Sequence, residues 1–162
     1  MYHVVDSEGA VLGAGHSAWI IGDDVNGYSV YDYQANGLSG SGVSGSSSDG
    51  QTRMKDGFTS LEDALNYLNS NRNGEHKFDK GQMWDTTPEK DAAAKKAAGS
   101  YCEGNYSLLD HNCYDLGPDA IFDAINELRP EDQKIDVDDG PSPNAAFERN
   151  NENGARVWKL PE

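Results

Sequence analysis

The apolar and polar positions divide the chain into an amino-terminal part with β-strand character and a later part with helical spacing. The clearest strand is Ser17–Ile21, and a second one, rich in aromatic and β-branched residues, is Tyr28–Tyr33. The segment between them ends in Asn26-Gly27, a pair typical of tight turns. The pattern therefore predicts a β-hairpin, preceded by shorter candidate strands at 2–5 and 11–12.

Capping residues predict two helices further along the chain. The first begins at Ser60, where Asp63 completes a capping-box pattern ahead of an apolar stripe. The second begins at Thr87-Pro88, which supplies a cap and a proline for the first helical position. We expect this second helix to continue to about Gly99.

A strand is predicted between these helices, at 77–84, and a third helical stripe follows at 113–128. Gly117-Pro118 lies inside this stripe. A proline there removes one N–H donor and clashes with the carbonyl of Tyr114, four residues earlier. We therefore expect a short helical piece followed by a kink or a restart.

Two segments lack such patterns. Residues 36–57 are rich in Gly and Ser, which predicts a flexible surface loop. Residues 129–162 are acidic and interrupted by prolines, which predicts an irregular tail whose segment 157–160 docks as a final strand or hook. The sequence shows no internal repeat and no segment that indicates a second domain. Residues 1–162 are therefore predicted to form one α+β domain.

Composition and charge narrow the classes of partner. The chain has 162 residues, with 13 Lys and Arg against 28 Asp and Glu, and a formal net charge of −15. Such a surface repels phosphate and anionic lipid, so nucleic acid and membrane are not expected partners. No apolar run approaches the ~20 residues of a bilayer span, and residues 1–6 lack the features of a signal peptide. The sequence predicts an acidic, soluble domain.

The candidate chemistry centres on Cys113, which lies between a polar loop and the third helical stripe. A thiol at the start of a helix is surrounded by backbone N–H groups, which favour the nucleophilic thiolate. The amides of Cys113 and of the residues after it are then candidate oxyanion donors in acyl transfer. The alternative is a small apolar core residue. The other cysteine, Cys102, is expected to be structural, and both are expected to be reduced.

His16, at the beginning of the first hairpin strand, is the candidate base. Pairing around Asn26-Gly27 places it roughly opposite Gln34, and places Ala18 opposite Asp32. In that register His16, Asp32 and Gln34 share one face, because strand side chains alternate with a period of two. A catalytic histidine needs a partner on its far nitrogen. Asp32 is the first candidate for this partner and Gln34 is the second.

These segments resemble a known superfamily. Gly15–Gly22, which contains His16, followed much later by His111-Asn112-Cys113, resembles the circularly permuted papain-like thiol hydrolases, a superfamily similar to the NlpC/P60, lecithin–retinol acyltransferase and PPPDE groups. In the permuted members the histidine strand precedes the cysteine helix, and Asn-Cys opens that helix. With the helix starts at 58–60 and 86–89, the pattern more narrowly resembles C-terminal toxin domains of bacterial rearrangement-hotspot and contact-dependent polymorphic toxins.

The resemblance implies a permuted papain-like α+β fold, in which an antiparallel sheet carries the histidine strand and packs against a cysteine-bearing helix. It implies a cysteine peptidase-like toxin that cleaves an amide bond in a target-cell protein through an acyl-enzyme. Cys113 would be the nucleophile, His16 the general base and acid, and Asp32 the orienting residue. Further candidates for orienting the histidine or binding the oxyanion are Gln34, Asn112 and His111.

The same resemblance implies delivery into a target cell and a cognate immunity protein that blocks the Cys113 cleft. The same dyad would also serve a peptidoglycan amidase, as in many NlpC/P60 relatives, or a protein deamidase or acyltransferase. A non-enzymatic binding module on a degenerate hydrolase fold is a further alternative, and it predicts an unreactive thiol. We expect no cofactor and no metal, because the two cysteines form no closely spaced ligand pair and the acidic turn at 136–140 departs from an EF-hand loop.

Overall fold

The computed structural model describes residues 1–8, 15–35, 50–70, 77–103, 112–137, 142–152 and 155–160. Within these residues the chain is α+β, as expected. The strands are β1 (Tyr2–Asp6), β2 (His16–Asp23), β3 (Gly27–Ala35), β4 (Gly50–Phe58), β5 (Lys80–Met83) and β6 (Arg156–Trp158). The helices are α1 (Leu61–Ser70), α2 (Pro88–Cys102), a π-helix (Gly117–Phe122) that continues into α3 (Asp123–Asn126), a 3₁₀ turn (Glu131–Gln133) and α4 (Pro143–Glu152).

The described strands form one six-stranded sheet in the order β4-β3-β2-β1-β5-β6, and every neighbouring pair is antiparallel. The strand β2 lies inside this sheet and is buried on both faces. On one face Trp19 and Ile21 pack against α2 and the helical segment 117–126. On the other face Ala18 and Ile20 pack against α1. This double burial explains why β2 is a continuous apolar run instead of an alternating one.

The predicted hairpin is confirmed, with the expected register. Trp19 pairs with Tyr31 and Asp23 with Gly27, the alignment obtained by placing the Asn-Gly pair in the turn. Asp23 closes this turn, because its Oδ1 accepts hydrogen bonds from two turn amides at 2.8 and 2.7 Å. Gly27 has a φ of +76°, a left-handed conformation that glycine adopts without steric cost.

The two helix starts predicted from capping residues are also confirmed. The hydroxyl of Ser60 accepts from the amide of Asp63 at 3.0 Å and donates to the carboxylate of the same residue at 2.8 Å. The hydroxyl of Thr87 accepts from the amide of Lys90 at 3.4 Å, and a proline occupies the first turn of α2. Both caps satisfy amides that the first turn of a helix leaves unpaired.

Part of the predicted flexible loop is a strand. Residues 50–57, assigned to the loop 36–57 because they are polar, belong to β4 and pair with β3. The strand β4 lies at the edge of the sheet, and most of its described residues, 53–58, are exposed, including Met54 at 44%. It is therefore held by backbone hydrogen bonds more than by apolar burial, and composition gave a wrong prediction. The rest of that segment, 36–49, lies outside the described residues.

The tail 129–162, predicted to be irregular, contains α4 and β6, so that prediction is also wrong. Ser142 caps α4, since its hydroxyl accepts from the amide of Ala145 at 3.3 Å. Ser142-Pro143 has the same cap-and-proline pattern as the start of α2. The prediction of an irregular tail relied instead on the acidic composition. β6 pairs with β5, which confirms that the end of the tail docks as a final strand.

The remaining element predictions are partly confirmed. The candidate strand at 2–5 is β1, and the strand predicted at 77–84 is the shorter β5. The candidate at 11–12 lies outside the described residues. The third helical stripe becomes helical only at Gly117, after the turn that contains Cys113. None of the helices in the described ranges has the length and apolar character needed to cross a membrane.

Candidate active site

His16 opens β2 and is held by a carboxylate on the neighbouring strand. Its Nε2 lies 2.7 Å from Oδ1 of Asp32 in β3. Asp32 is fully buried and His16 is 7% exposed, so the contact is poorly screened by salt. The predicted shared face of these two residues is therefore confirmed. Gln34 pairs with Gln51 in the β3–β4 ladder, but its side chain lies outside the described residues.

Cys113 lies in a turn that Asn112 holds together. The side-chain Oδ1 of Asn112 accepts hydrogen bonds from the amides of Tyr114 at 2.9 Å and Asp115 at 3.4 Å. Its Nδ2 donates to the carboxylate of Asp115 at 2.8 Å. Asn112 therefore shapes the turn that contains Cys113, whereas the carboxylate of Asp32 contacts the ring of His16.

These bonds change the predicted set of oxyanion donors. The sequence predicts donors in the amides that follow Cys113, but the amides of Tyr114 and Asp115 are bound by Asn112. That part of the prediction is wrong, because the side chain of Asn112 forms a local turn that uses the same N–H groups. The amide of Cys113 itself remains the predicted donor. His111, the other candidate, lies outside the described residues.

The helix after Cys113 begins late, and its first turns are π-helical. Pro118 has no N–H for the carbonyl of Tyr114, which accepts instead from the amide of Gly117 at 3.3 Å. The amide of Ile121 then bonds to the carbonyl five residues earlier, at 3.2 Å, as in a π-helix. An irregularity at Gly117-Pro118 is therefore confirmed, but the short helical piece expected before it is wrong, because residues 113–116 form a turn. Cys113 therefore lies outside the helix, and the helix dipole is not the main source of thiolate stabilisation.

Ser17 links the turn of Cys113 to β2. Its hydroxyl donates to the carbonyl oxygen of Cys113 at 2.9 Å, across 96 positions of sequence. Its backbone amide also contributes to lowering the pKa of Cys113. Because Ser17 directly follows His16, these interactions bring the sulfur next to the imidazole. The hydroxyl contact was not predicted, because its only signal in the sequence is a serine inside an apolar strand.

Close packing lets the helical segment approach the sheet. Gly117 lies over the indole of Trp19, and a Cβ at Gly117 would come within 2.5 Å of a ring atom. Trp19 is 1% exposed and stacks against His3 and Trp84, with ring centroids 4.6 and 5.6 Å away. The indole has no room to move aside. A residue without a side chain is therefore required at Gly117.

Replacing Gly117 by alanine is expected to destabilise the fold by about 1–3 kcal/mol and to slow alkylation of Cys113, because the helical segment must move away from β2. The matched control is Gly99→Ala in α2, where no neighbouring heavy atom lies within 4 Å of the added Cβ. That change should stabilise the protein, since alanine favours helix over glycine by about 1 kcal/mol. Thermal unfolding and mass spectrometry of iodoacetamide-treated protein measure both effects. Similar stability changes in the two variants would contradict the close approach.

Cys113 and His16 form a buried charged pair. Burial raises the pKa of Cys113, but the positive charge and hydrogen bond of His16, aided by the amide of Ser17, lower this pKa overall. Burial opposes the charged form of His16, but the Cys113 thiolate and the Asp32 carboxylate raise its pKa to about 10. Both shifts favour the form of the pair in which Cys113 is a thiolate and His16 is an imidazolium. Because Nε2 is bound to Asp32, Nδ1 is the nitrogen that remains for the sulfur.

The second cysteine differs from the first. Cys102 lies at the end of α2, and both cysteines are free thiols, as expected. Burial, with a smaller contribution from Asp32, raises the pKa of Cys102 to about 12, so this thiol stays protonated at neutral pH. The structural role predicted for Cys102 fits this environment. Within the described ranges, no three His, Cys, Asp or Glu side chains are grouped so that they could hold a metal ion.

Comparisons of this chain with protein-family models, with curated proteins and with solved structures find no match. The chemistry of the site is therefore inferred from its geometry. A thiol with a lowered pKa, an imidazole and a buried carboxylate follow one another at Cys113, His16 and Asp32.

Proposed function

We propose that this protein is a cysteine hydrolase that cleaves an amide bond through an acyl-enzyme on Cys113. The observation that supports the proposal is the interaction of Cys113 with His16, whose Nε2 is held by Asp32 at 2.7 Å. A thiolate beside an imidazolium that is oriented by a third polar group is what nucleophilic catalysis by cysteine requires. The pKa of Cys102 in the same core shifts in the opposite direction, because burial raises it.

In the proposed reaction, Sγ of Cys113 attacks the carbonyl carbon of the scissile amide, and negative charge moves to the carbonyl oxygen. The backbone N–H of Cys113 donates to this oxygen. As the C–N bond breaks, the imidazolium of His16 gives its proton to the departing amine, and a thioester remains. Neutral His16 then takes a proton from water, hydroxide adds to the thioester, and the thiolate of Cys113 leaves. Asp32 orients the ring and stabilises its charged form.

The proposal includes the permuted papain-like arrangement. Its support is the chain order, in which the histidine strand β2 precedes the turn of Cys113, and the packing of β2 against the helical segment 117–126. In this proposal the protein is a toxin-like effector that acts on a protein of a target cell, and an immunity protein binds over Cys113. The motifs around His16 and Cys113 support this narrower assignment.

Cys113 is expected to react with iodoacetamide at pH values well below the ~8.5 pKa of an ordinary thiol. Its lowered pKa means that the thiolate is present above that value, so labelling should fall only as the pH drops through it. Cys102 is the internal control, because it is 4% exposed against 6% for Cys113, and its raised pKa predicts negligible labelling. Mass spectrometry of the two labelled peptides over a pH series gives the measurement. Slow labelling of both cysteines with the same pH dependence would favour the non-enzymatic binding module.

The substrate can be identified by expressing the wild type and Cys113→Ala in bacteria, with and without a periplasmic signal, and comparing their proteins by mass spectrometry. We expect growth arrest from the cytoplasm, with cleavage products that the alanine variant does not generate. Lysis from the periplasm alone would instead favour peptidoglycan stem peptides. Deamidated or acylated side chains without chain cleavage would favour a deamidase or an acyltransferase.

A further inference from the structure

Ser17 makes contacts with Cys113 that the Cys113–His16 pair does not require. Its hydroxyl donates to the Cys113 carbonyl at 2.9 Å, and Ser17 is 1% exposed. A hydroxyl buried to this degree is costly unless it is hydrogen-bonded, so the bond to Cys113 contributes to the free energy that holds the turn on β2. The bond joins the middle of the sheet to the turn that contains Cys113.

The direction of the Ser17 amide follows from the pairing of the sheet. Val5 is the partner of Ser17 in the β1–β2 ladder, and the carbonyl of Val5 accepts from the amide of Asp79 at 3.0 Å, on the side of β5. In an antiparallel strand the N–H and C=O of one residue point to the same side, so Val5 and Ser17 form a non-hydrogen-bonded pair. The amide of Ser17 therefore points away from β1 and toward β3.

The β2–β3 ladder ends before it reaches this amide. The described pairs of these strands run from Asp23–Gly27 to Trp19–Tyr31, although β2 extends to His16. This amide contributes to lowering the pKa of Cys113, whose carbonyl the hydroxyl of the same serine holds. A backbone N–H on a thiolate stabilises its negative charge.

We propose that Ser17 is a positioning residue, whose hydroxyl holds the carbonyl of Cys113 on β2 and so keeps the sulfur beside His16 and the Ser17 amide. This inference rests on the proposed function of the Cys113–His16 pair and adds what keeps the two side chains together. Without the hydroxyl, the turn loses its bond to β2, and the sulfur moves away from both the amide and the imidazole. The thiolate then loses stabilisation from both groups.

The test is the pH dependence of Cys113 alkylation in Ser17→Ala, with Ser29→Ala as the matched control. Ser29 is a second buried serine of the same sheet, 2% exposed, and is paired with Ile21 in the hairpin. We expect the midpoint of labelling by iodoacetamide to rise by at least about one pH unit in Ser17→Ala. That shift corresponds to about tenfold slower labelling below the midpoint. Ser29→Ala should keep the wild-type midpoint, even if its melting temperature falls equally.

Threonine and valine at position 17 provide a second comparison that does not depend on the alanine variant folding. The two side chains are nearly equal in shape and differ by a hydroxyl, so any cost of fitting a branched side chain is common to both. Ser17→Thr is expected to label with a midpoint close to that of the wild type, whereas Ser17→Val is expected to show the raised midpoint.

Two outcomes separate this inference from the proposed function. If wild-type Cys113 labels at low pH, and Ser17→Ala or Ser17→Val keeps the wild-type midpoint, the positioning role is wrong while the catalytic pair stands. If wild-type Cys113 labels like an ordinary thiol, the proposed catalytic pair is wrong, and the positioning role that rests on it is wrong as well. Equal midpoints for Ser17→Thr and Ser17→Val would also overturn the role of the hydroxyl.

Discussion

Replacing Cys113 by alanine is expected to abolish amide cleavage, with a loss of at least about 10³-fold. The acyl-enzyme cannot form without the sulfur, and Cys102 cannot replace it because its pKa is raised to about 12. Cys113→Ser should be inactive as well, since a hydroxyl in this site does not ionise near neutral pH. The release of cleavage products from target-cell proteins, followed by mass spectrometry, measures the loss.

The fold should survive these changes, because Asp32 still neutralises His16 when the thiolate is absent. Cys102→Ala is the matched control: it makes the same chemical change at a cysteine of similar burial, and activity should be retained. Thermal unfolding of both variants shows whether any loss of activity comes from instability. Cleavage at the wild-type rate by Cys113→Ala would refute the acyl-enzyme.

Asp32→Asn is expected to lower the rate by about 10²–10⁴-fold without removing either partner of the catalytic pair. Asparagine has nearly the same shape as aspartate and can still accept a hydrogen bond from Nε2 of His16, so the ring stays in place. The negative charge is lost, however, and with it part of the attraction that raises the pKa of His16 to about 10. The imidazolium is then less populated, and the thiolate of Cys113 loses part of its counterion.

The pH dependence of the reaction distinguishes this electrostatic effect from a loss of structure. The carboxylate of Asp32 contributes to raising the pKa of His16 to about 10, so its loss should lower that pKa. Because the imidazolium of His16 gives its proton to the departing amine, the alkaline limit of the cleavage rate should move to lower pH in Asp32→Asn. Asp132→Asn, at an exposed position of the 3₁₀ turn, is the control and should leave rate and pH dependence unchanged. An unchanged alkaline limit in Asp32→Asn would contradict the role of the carboxylate.

The same variant should change stability in a pH-dependent way. A histidine whose pKa is raised on folding contributes stability fully below its unfolded pKa of about 6.5, and this contribution is lost as the pH rises through the folded value. For His16 that window extends to about 10. The loss of unfolding free energy in Asp32→Asn should therefore be larger near the lower end of this window than near its upper end. Denaturant unfolding at two pH values measures the difference.

Much of the local structure was predictable from neighbouring residues. The Asn26-Gly27 turn determines the alignment of the hairpin, and a period of two then carries that alignment to His16 and Asp32. The cap at Ser60 likewise depends on groups a few positions apart. These interactions form between residues close in sequence, so the sequence pattern contains them directly.

Predictions based on composition failed where a distant partner supplies the bonds. Residues 50–57 are too polar to predict a strand, yet β3 offers them a complete backbone edge. The helix α4 lies in an acidic segment, but Phe147 on it is buried against the rest of the protein. In both cases the stabilising partner is far away in sequence, and a composition window does not include it.

By itself, the sequence determined the hairpin, the helix caps, the irregular helix at Gly117-Pro118 and the shared face of His16 and Asp32. Only the tertiary structure decided that Cys113 interacts with His16, that the hydroxyl of Ser17 binds the carbonyl of Cys113, and that Asn112 binds the amides after the cysteine. The physical reason is the separation in sequence between the groups that interact. The first set depends on hydrogen bonds and side-chain alternation within a few residues or along one ladder, whereas the second depends on how closely a helical segment packs on a sheet across most of the chain.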